Sequence, residues 1–118
     1  NQLLYNTAMP LAHICCSKIN VEIETIYYGR SFLQVPLQDK SGISNPHIDI
    51  TNFNHLVCLY YVFDSDGDTV FFDGDKIVES VTPKKGRCVI FDGLIPHGAG
   101  IPSKGPRCII NYNLHYIV

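Results

Sequence analysis

The sequence predicts a mainly β domain, an antiparallel sandwich or barrel of the jelly-roll type with a short helical segment at its start. Seven Tyr and six Phe accompany many Val and Ile residues, and these residue types favour strands. Short apolar runs follow one another at even spacing with turn signals between them, which is typical of small all-β domains. With 118 residues, 46% of them hydrophobic and 17% charged, the chain is expected to form one globular domain over 1–118.

The elements can be assigned in order along the chain. Residues 1 to about 18 are expected to be helical because Leu3, Leu11 and Ile14 fall on one side at helical spacing, although Pro10 should break that helix or make it begin again. The β core is expected from about residue 21 to residue 118. Its runs rich in Val, Ile, Tyr and Phe predict strands at 21–28, 31–35, 47–50, 55–63, 69–72, 76–81, 87–91, 94–101 and 107–118. Residues 38–46 contain Asp, Lys, Ser, Gly and Asn and predict a loop.

The charge distribution gives no reason to expect a nucleic-acid or membrane partner. The net charge is −2, and the sequence has no stripe of Lys and Arg that would bind nucleic acid or an anionic membrane. No apolar run approaches the roughly 18 residues of a membrane-spanning helix. The five cysteines are odd in number and lack Cys-x-x-Cys spacing, so we expect reduced core thiols in a cytoplasmic protein.

The residues that point to chemistry begin with the triplet His47-Ile48-Asp49. Side chains two residues apart on a strand lie on the same face, so the imidazole of His47 and the carboxylate of Asp49 would face one point. His97 is flanked by Pro and Gly between two apolar runs, a setting that suits a side chain aimed at a cavity. Two imidazoles and one carboxylate form the facial triad that holds non-heme Fe(II) and leaves coordination positions open.

Arg107 follows ten residues later and begins an otherwise apolar strand. A charge that enters the core needs a partner. Because a guanidinium can bind a carboxylate through two parallel hydrogen bonds, a co-substrate with a carboxylate is one such partner. The alternative is an arginine at a strand end whose head reaches solvent.

The order of these four residues carries a family resemblance. His47-x-Asp49, His97 and Arg107 resemble the signature of the Fe(II)/2-oxoglutarate-dependent dioxygenases, above all their prolyl-4-hydroxylase-like branch. Residues 67–72, Gly-Asp-Thr-Val-Phe-Phe, look like the Gly-Glu-Thr-x-Phe-Phe hairpin of that branch. The resemblance covers about residues 30–116, since 81–93 also look like the branch's strand leading to the distal histidine. It extends to short oxygenases of phages and marine microbes, and for a phage member the host cytoplasm would be the place of action.

The resemblance implies a fold, a ligand set and a reaction. The fold would be a double-stranded β-helix, a jelly-roll or cupin-like barrel, with Fe(II) held by His47, Asp49 and His97. The 2-oxo acid end of 2-oxoglutarate would bind the iron, and its far carboxylate would meet Arg107. With O2, and with ascorbate as a further candidate cofactor, the enzyme would hydroxylate a small-molecule or peptide substrate and release succinate and CO2. A prolyl residue is one candidate substrate.

Of two tyrosine positions in the family, one has a match in this chain and the other does not. On the strand after the metal loop, a tyrosine of the family contacts the co-substrate carboxylate. Tyr61 matches it best, and Tyr60 stays open because a one-residue shift exchanges the two faces of a strand. On the strand before the metal loop, many relatives carry a Tyr-x-Pro-Gly-like stretch, whereas residues 33–38 read Leu-Gln-Val-Pro-Leu-Gln. We therefore expect the co-substrate to lose one hydrogen bond unless Gln34 replaces it.

Two other classes compete with the oxygenase. One is a cupin-like metalloprotein that does not use 2-oxoglutarate, which an Arg107 side chain pointing away from the triad would favour. The other is a non-catalytic jelly-roll module, which a triad too widely spaced to share one ion would favour. The sequence identifies neither the substrate nor the oligomeric state, although loops 38–46 and 51–55 are expected to set specificity.

Overall fold

Residues 2–38 and 41–117, the part of the chain described by this computed structural model, form one helix and seven strands. The helix is α1 (Gln2–Ser17), and the strands are β1 (Glu22–Gln34), β2 (Leu56–Tyr61), β3 (Thr69–Asp73), β4 (Lys76–Val81), β5 (Cys88–Asp92), β6 (His97–Ala99) and β7 (Arg107–Ile117). The predicted mainly β class with a short N-terminal helix is confirmed. Residues 1, 39, 40 and 118, which belong to the predicted helical start, loop and last strand, lie outside the described residues.

The strands form two antiparallel sheets. The four-stranded sheet has the order β1-β7-β2-β5, and the three-stranded sheet has the order β4-β3-β6. Segment 43–47 extends the smaller sheet, because isolated bridges join its two ends to β6 and to the residue that follows β6. The two sheets touch through their side chains: the rings of Phe71 on β3 and Phe91 on β5 meet edge to face, with centroids 4.8 Å apart.

The larger sheet has two different buried faces because successive side chains of a strand alternate. On the outer face, the fully buried side chains of β2 and β7 pack beneath α1: Cys58, Tyr112 and Leu114. On the inner face, a second cluster packs between the sheets: Val57, Leu59, Tyr61 and Ile109. The larger sheet thus separates a helix-covered core from the interior in which the predicted site residues lie.

α1 is continuous through Pro10, so the expected break is wrong. A proline inside a helix removes one N–H donor and crowds the preceding turn, typically at about 3 kcal/mol. That cost is offset because the turns after Pro10 bury Ala12 and Cys16 completely against the larger sheet. Beyond α1, Asn20 adopts a left-handed φ of 59°, and the N–H of Val21 donates to the Cys16 carbonyl, which closes the helix end. Within the described ranges, no helix is long and apolar enough to cross a membrane.

Three strand predictions differ from the structure. β1 is one strand and not two, because Gly29 pairs with Tyr112 and the long partner β7 supplies hydrogen bonds past the expected interruption. The expected strands 47–50 and 94–101 shorten to a bridge at His47 and to the three residues of β6. A proline directly precedes the histidine in both segments, and a proline cannot donate a ladder hydrogen bond, which keeps both pairings short.

Gly93 lies against the ring of His55, and we predict that Gly93→Ala lowers the free energy of unfolding by about 1–3 kcal/mol. A β-carbon at position 93 would lie 2.1 Å from His55 Nε2. His55 is 2% exposed and its Nδ1 lies 3.2 Å from the Phe53 carbonyl, so the ring has little room to move. Urea denaturation measures the difference. Gly105→Ala is the control, since a β-carbon there meets no atom within 4 Å; equal midpoints for the two variants would contradict the packing described.

Candidate metal centre

His47, Asp49 and His97 meet at one point. Oδ1 of Asp49 lies 3.3 Å from Nε2 of His47 and 3.4 Å from Nε2 of His97. The candidate ligand atoms of the three residues all lie within 4.8 Å of one another. Bonds of about 2.1 Å, usual for imidazole and carboxylate ligands of a divalent transition metal, place neighbouring ligand atoms about 3 Å apart. The three side chains therefore fit a single divalent cation after small adjustments.

Backbone pairing brings the two histidines together. The N–H of His47 donates to the His97 carbonyl at 2.9 Å, and the N–H of His97 donates to the His47 carbonyl at 3.0 Å. Gly98 permits this close approach, because a β-carbon there would lie 2.8 Å from the Ser44 carbonyl oxygen. Asp49 reaches the two rings from a bend. The expectation that a regular strand aligns His47 with Asp49 is therefore wrong, although the side chains do converge.

Two amides of β7 hold the other oxygen of Asp49. Oδ2 accepts a hydrogen bond from Nδ2 of Asn111 at 2.9 Å and another from Nδ2 of Asn113 at 3.1 Å. Because an ionised carboxylate only accepts, both amides must present their N–H groups to it. The amide oxygens are buried and have no partner among the described residues. Hydrogen bonds of this kind fix the orientation of a metal ligand, here with Oδ1 toward the histidines.

The sequence prediction does not include Asn111 and Asn113, although β7 carries a signal for them. Alternate residues of this strand face the interior between the sheets: Arg107, Ile109, Asn111 and Asn113. Two amides at alternate positions of a buried strand need hydrogen-bond partners, because unpaired buried polar groups are costly. A carboxylate in the metal loop is such a partner, but only the cross-strand arrangement shows that Asp49 supplies it.

The imidazole of His97 is oriented for metal binding. Its Nδ1 lies 2.9 Å from the Ile95 carbonyl oxygen, and a carbonyl only accepts, so Nδ1 would keep its proton when the lone pair of Nε2 binds a metal. The ring of Phe91 meets it edge-on with centroids 4.9 Å apart. The His97 side chain is 5% exposed, whereas that of His47 is 55% exposed. One histidine is thus fixed in the interior and the other lies at the opening.

The environment keeps the Asp49 carboxylate ionised. Burial alone would raise its pKa, but hydrogen bonds from the two histidines and the two β7 amides outweigh burial and hold the pKa of Asp49 well below its usual range. The hydrogen bond to Asp49 raises the pKa of His47, against the opposing effect of partial burial. Since a metal binds the neutral imidazole, the proton on His47 must leave first, and metal affinity should rise as the pH increases.

Arg107 lines the same cavity as the triad. It is 2% exposed, and its Nε donates to the Gly67 carbonyl at 2.8 Å. One terminal nitrogen donates to Gln34 Oε1 and the other to Thr69 Oγ1, both at 2.9 Å. No carboxylate in the described part of the chain forms an ion pair with it. Burial lowers the pKa of Arg107, and this effect outweighs the opposing effect of the nearby Tyr61 and Asp68.

Tyr61 and Arg107 share a hydrogen-bond partner, the hydroxyl of Thr69. The Tyr61 hydroxyl donates to Thr69 Oγ1 at 2.7 Å, and that oxygen also accepts from Arg107. Because a hydroxyl accepts two hydrogen bonds and donates one, Thr69 keeps its own hydrogen available for a ligand in the cavity it lines. Tyr60 packs on the opposite, helix-covered face of β2. The structure thus brings Tyr61 toward Arg107, leaves Tyr60 away from it, and adds Thr69 as the hydroxyl that lines the cavity.

The cavity that contains these groups has a volume of about 460 Å³, which is within the usual range for small-molecule sites. Leu59 and Ile109 give it an apolar wall beside the triad and Arg107. Tyr28 and Arg30 of β1 also line it, with the guanidinium 4.4 Å from the centre of the tyrosine ring. The cavity therefore combines polar groups at defined positions with an apolar wall, as binding sites for small molecules do.

Comparison with known proteins gives no family assignment: no family model matches the chain, and no curated protein matches it significantly. The chemistry of the cavity is therefore inferred from its own residues. These residues combine three candidate metal ligands with a buried cation that forms no ion pair with a carboxylate among the described residues.

Replacing Asn111 by Ala should weaken divalent metal binding about 10- to 100-fold, because the Asp49 carboxylate loses one of the donors that orient it. Competition between the protein and a chelator for Co²⁺, used as a probe ion, measures the change. Asn54→Ala is the matched control, since Asn54 is exposed near the metal loop. If both variants bind Co²⁺ as tightly as the unmodified protein, the amides do not position Asp49.

Proposed function

We propose that this chain is an Fe(II)- and 2-oxoglutarate-dependent dioxygenase that hydroxylates a substrate and releases succinate and CO2. One observation carries the proposal: a 2-His-1-carboxylate set and a buried Arg107 without a carboxylate partner among the described residues line the same cavity. The first group suits non-heme iron with open coordination positions. The second suits the far carboxylate of a dicarboxylic co-substrate.

We also propose that the fold is a double-stranded β-helix. A jelly roll arranges eight strands in two antiparallel sheets. The seven strands, together with segment 43–47 that pairs with β6, supply two groups of four. In this arrangement, His47 and His97 come from neighbouring segments of the smaller sheet. The Asp49-binding amides and Arg107 come from β7 of the larger sheet, so the site lies between the sheets.

The donor set supports iron as the metal. His47, Asp49 and His97 offer two neutral nitrogens and one anionic oxygen, and this facial set leaves positions for a co-substrate and O2. The hydrogen bond at His97 Nδ1 and the amides at Asp49 Oδ2 fix the two ligands that are most buried. When bound, the iron would supply the O2 activation that decarboxylates 2-oxoglutarate and oxidises the substrate.

The far side of the cavity supports a carboxylate ligand. A guanidinium binds a carboxylate more strongly than an amide oxygen, so 2-oxoglutarate would compete with Gln34 for Arg107. The free hydrogen of the Thr69 hydroxyl provides a second donor for that carboxylate. Leu59 and Ile109 provide an apolar wall beside these groups, against which the carbon chain of 2-oxoglutarate would pack. Each of these residues binds or orients the co-substrate.

The two competing classes do not explain the triad, the amides that orient it and the buried Arg107. A cupin-like metalloprotein that does not use 2-oxoglutarate would bury Arg107 in the metal cavity with no ion-pair partner among the described residues and only the more distant charge of Asp68 to offset it. A non-catalytic jelly-roll module has no need for three ligand atoms within 4.8 Å and a carboxylate oriented by two buried amides. We therefore favour the oxygenase.

The substrate of the proposed enzyme is a small molecule or a peptide. Tyr28, Arg30 and Phe32 line the cavity from β1 and would contact it. Loops 38–46 and 51–55 are the other candidates for specificity, although residues 39 and 40 lie outside the described residues. A prolyl residue stays one candidate.

Succinate formation tests the proposal directly. The protein is incubated in air with Fe(II), 2-oxoglutarate and a panel of amino acids, prolyl peptides and nucleobases. We expect succinate release that stops when Fe(II), 2-oxoglutarate or O2 is omitted, with slow release even without substrate. If a protein shown to bind Fe(II) forms no iron-dependent succinate across the panel, the proposal is overturned in favour of a metalloprotein that does not use 2-oxoglutarate.

A further inference from the structure

A second group of metal-ligating side chains lies on the opposite face of the larger sheet from the triad. We name Cys15, Cys58 and Cys88 the thiol cluster. Their sulfur atoms all lie within 4.8 Å of one another, and Sγ of Cys58 is 3.2 Å from Sγ of Cys88. Cys15 is 8% exposed and Cys58 is fully buried, whereas Cys88 is partly exposed. The function proposed for the triad cavity does not account for three thiols at this spacing.

Cys58 of β2 and Cys88 of β5 are not directly opposite each other in the strand register. In the β2–β5 pair, Cys58 is opposite Ile90 and Cys88 is opposite Tyr60, so the two cysteines are diagonal neighbours. Diagonal residues of an antiparallel pair are about 7–8 Å apart, whereas a disulfide needs Cα atoms within about 7 Å. Cys15 approaches the pair from α1, which packs on this face. The geometry therefore favours three separate sulfur ligands converging on one point.

We propose that the thiol cluster is a binding site for Cu(I). Its donor set is three sulfurs, and soft thiolate ligands select Cu(I) over the harder divalent cations. A trigonal site with bonds of about 2.3 Å, the usual metal–thiolate length, places its sulfurs about 4 Å apart, within the observed spread. Zn²⁺ usually takes four ligands in tetrahedral geometry, whereas Cys16, a further buried thiol beside Cys58, lies outside the group of sulfurs within 4.8 Å of one another.

The surroundings of the thiol cluster fit a buried cuprous ion. A cavity of about 350 Å³ beside it is lined by Cys15, Cys88 and Lys18 and provides an entry path. Three thiolates on one monovalent cation carry a net negative charge, and Lys18, which lines the same cavity, is a nearby source of positive charge. Binding forms three copper–sulfur bonds and releases the thiol protons, with no change in oxidation state. On its other sides the thiol cluster is packed against apolar core residues, among them Ala12 and Leu114.

The test is an anaerobic titration of the full chain with Cu(I) in competition with bicinchoninate. We expect one Cu(I) per chain to be retained, with the luminescence given by Cu(I)–thiolate centres shielded from water. Cys88→Ser and Cys15→Ala should each weaken Cu(I) binding by at least about 100-fold, because even the loss of a group that only orients a ligand weakens metal binding 10- to 100-fold. Asp49→Ala should leave Cu(I) binding unchanged, which separates the thiol cluster from the triad.

Cys108→Ser is the matched control, since Cys108 is a free thiol on β7 outside the thiol cluster. It should bind Cu(I) like the unmodified protein. Circular dichroism establishes that each variant is folded. The proposal is overturned if the unmodified protein loses Cu(I) to the chelator, or if folded Cys88→Ser and Cys15→Ala retain it fully. Loss of two titratable thiols in air without copper would overturn it in favour of a disulfide.

Discussion

Asp49→Ala is expected to abolish Fe(II)-dependent succinate formation and to weaken Fe(II) binding by at least about 100-fold. Asp49 is the anionic member of the triad, and its removal leaves two neutral imidazoles to hold a divalent cation. The loss should exceed the 10- to 100-fold effect of removing a group that only orients a ligand. Anaerobic competition of the protein with a chromogenic chelator measures the affinity, and succinate release measures the activity.

The control for this substitution is Asp75→Ala. Asp75 is an exposed acid in the β3–β4 turn, so its removal changes the net charge equally without touching the cavity. Asp49→Asn provides a second test, because it keeps the shape of the side chain while removing its charge. Thermal denaturation shows whether both variants fold, since Asn111 and Asn113 lose their acceptor in Asp49→Ala. Iron-dependent succinate formation by a folded Asp49→Ala protein would refute the assignment of the triad.

Most strands of the β core were predictable because their residue types and turn signals are local properties. β2 reads as a continuous apolar run since both of its faces are buried, one beneath α1 and one toward the site. That same pattern cannot tell which face is which, so at the level of sequence only the family resemblance favoured Tyr61, and Tyr60 stayed open. The pairing of Tyr61 with Ile109 of β7 places it on the inner face.

The residues that orient the site were not predictable, because they depend on contacts between distant segments. The triad and Arg107 follow in a recognisable order, but Asn111 reaches Asp49 across 62 positions of the chain. Thr69 was seen only as part of a hairpin motif, and its contact with Arg107 spans 38 positions. A pattern along one strand shows which side chains share a face, whereas the partner on another strand follows from the register.

Tertiary packing also explains two features that the sequence did not predict, the continuous helix α1 and the thiol cluster. The cost of Pro10 within α1 is a local property, but the burial of Ala12 and Cys16 against the larger sheet that offsets it is not. The cysteines were expected to be reduced core thiols, and all five are free thiols in the structure. The convergence of three of them depends on how α1 lies across β2 and β5, which residue spacing does not reveal.

Arg107→Met is expected to raise the KM for 2-oxoglutarate about 30-fold or more while Fe(II) affinity stays unchanged. Truncating one partner of a buried, hydrogen-bonded charge pair costs about 2–5 kcal/mol, and each 1.4 kcal/mol is a factor of ten. Methionine keeps apolar bulk in the cavity but removes the positive charge and the donors to Gln34 and Thr69. Succinate release at varied 2-oxoglutarate measures KM, and chelator competition measures iron binding.

Two further variants separate the role of the charge from that of geometry and packing. Arg107→Lys keeps the charge but loses the planar fork, so its KM should lie between those of Arg107→Met and the unmodified protein. Arg87→Met is the control, because Arg87 is an exposed arginine whose guanidinium donates to the Thr82 carbonyl and does not line the cavity. A folded Arg107→Met protein with unchanged KM and intact iron binding would show that the co-substrate carboxylate binds elsewhere. A parallel loss of iron binding would instead mean that Arg107 supports the triad, so the two readouts together decide what the buried guanidinium does.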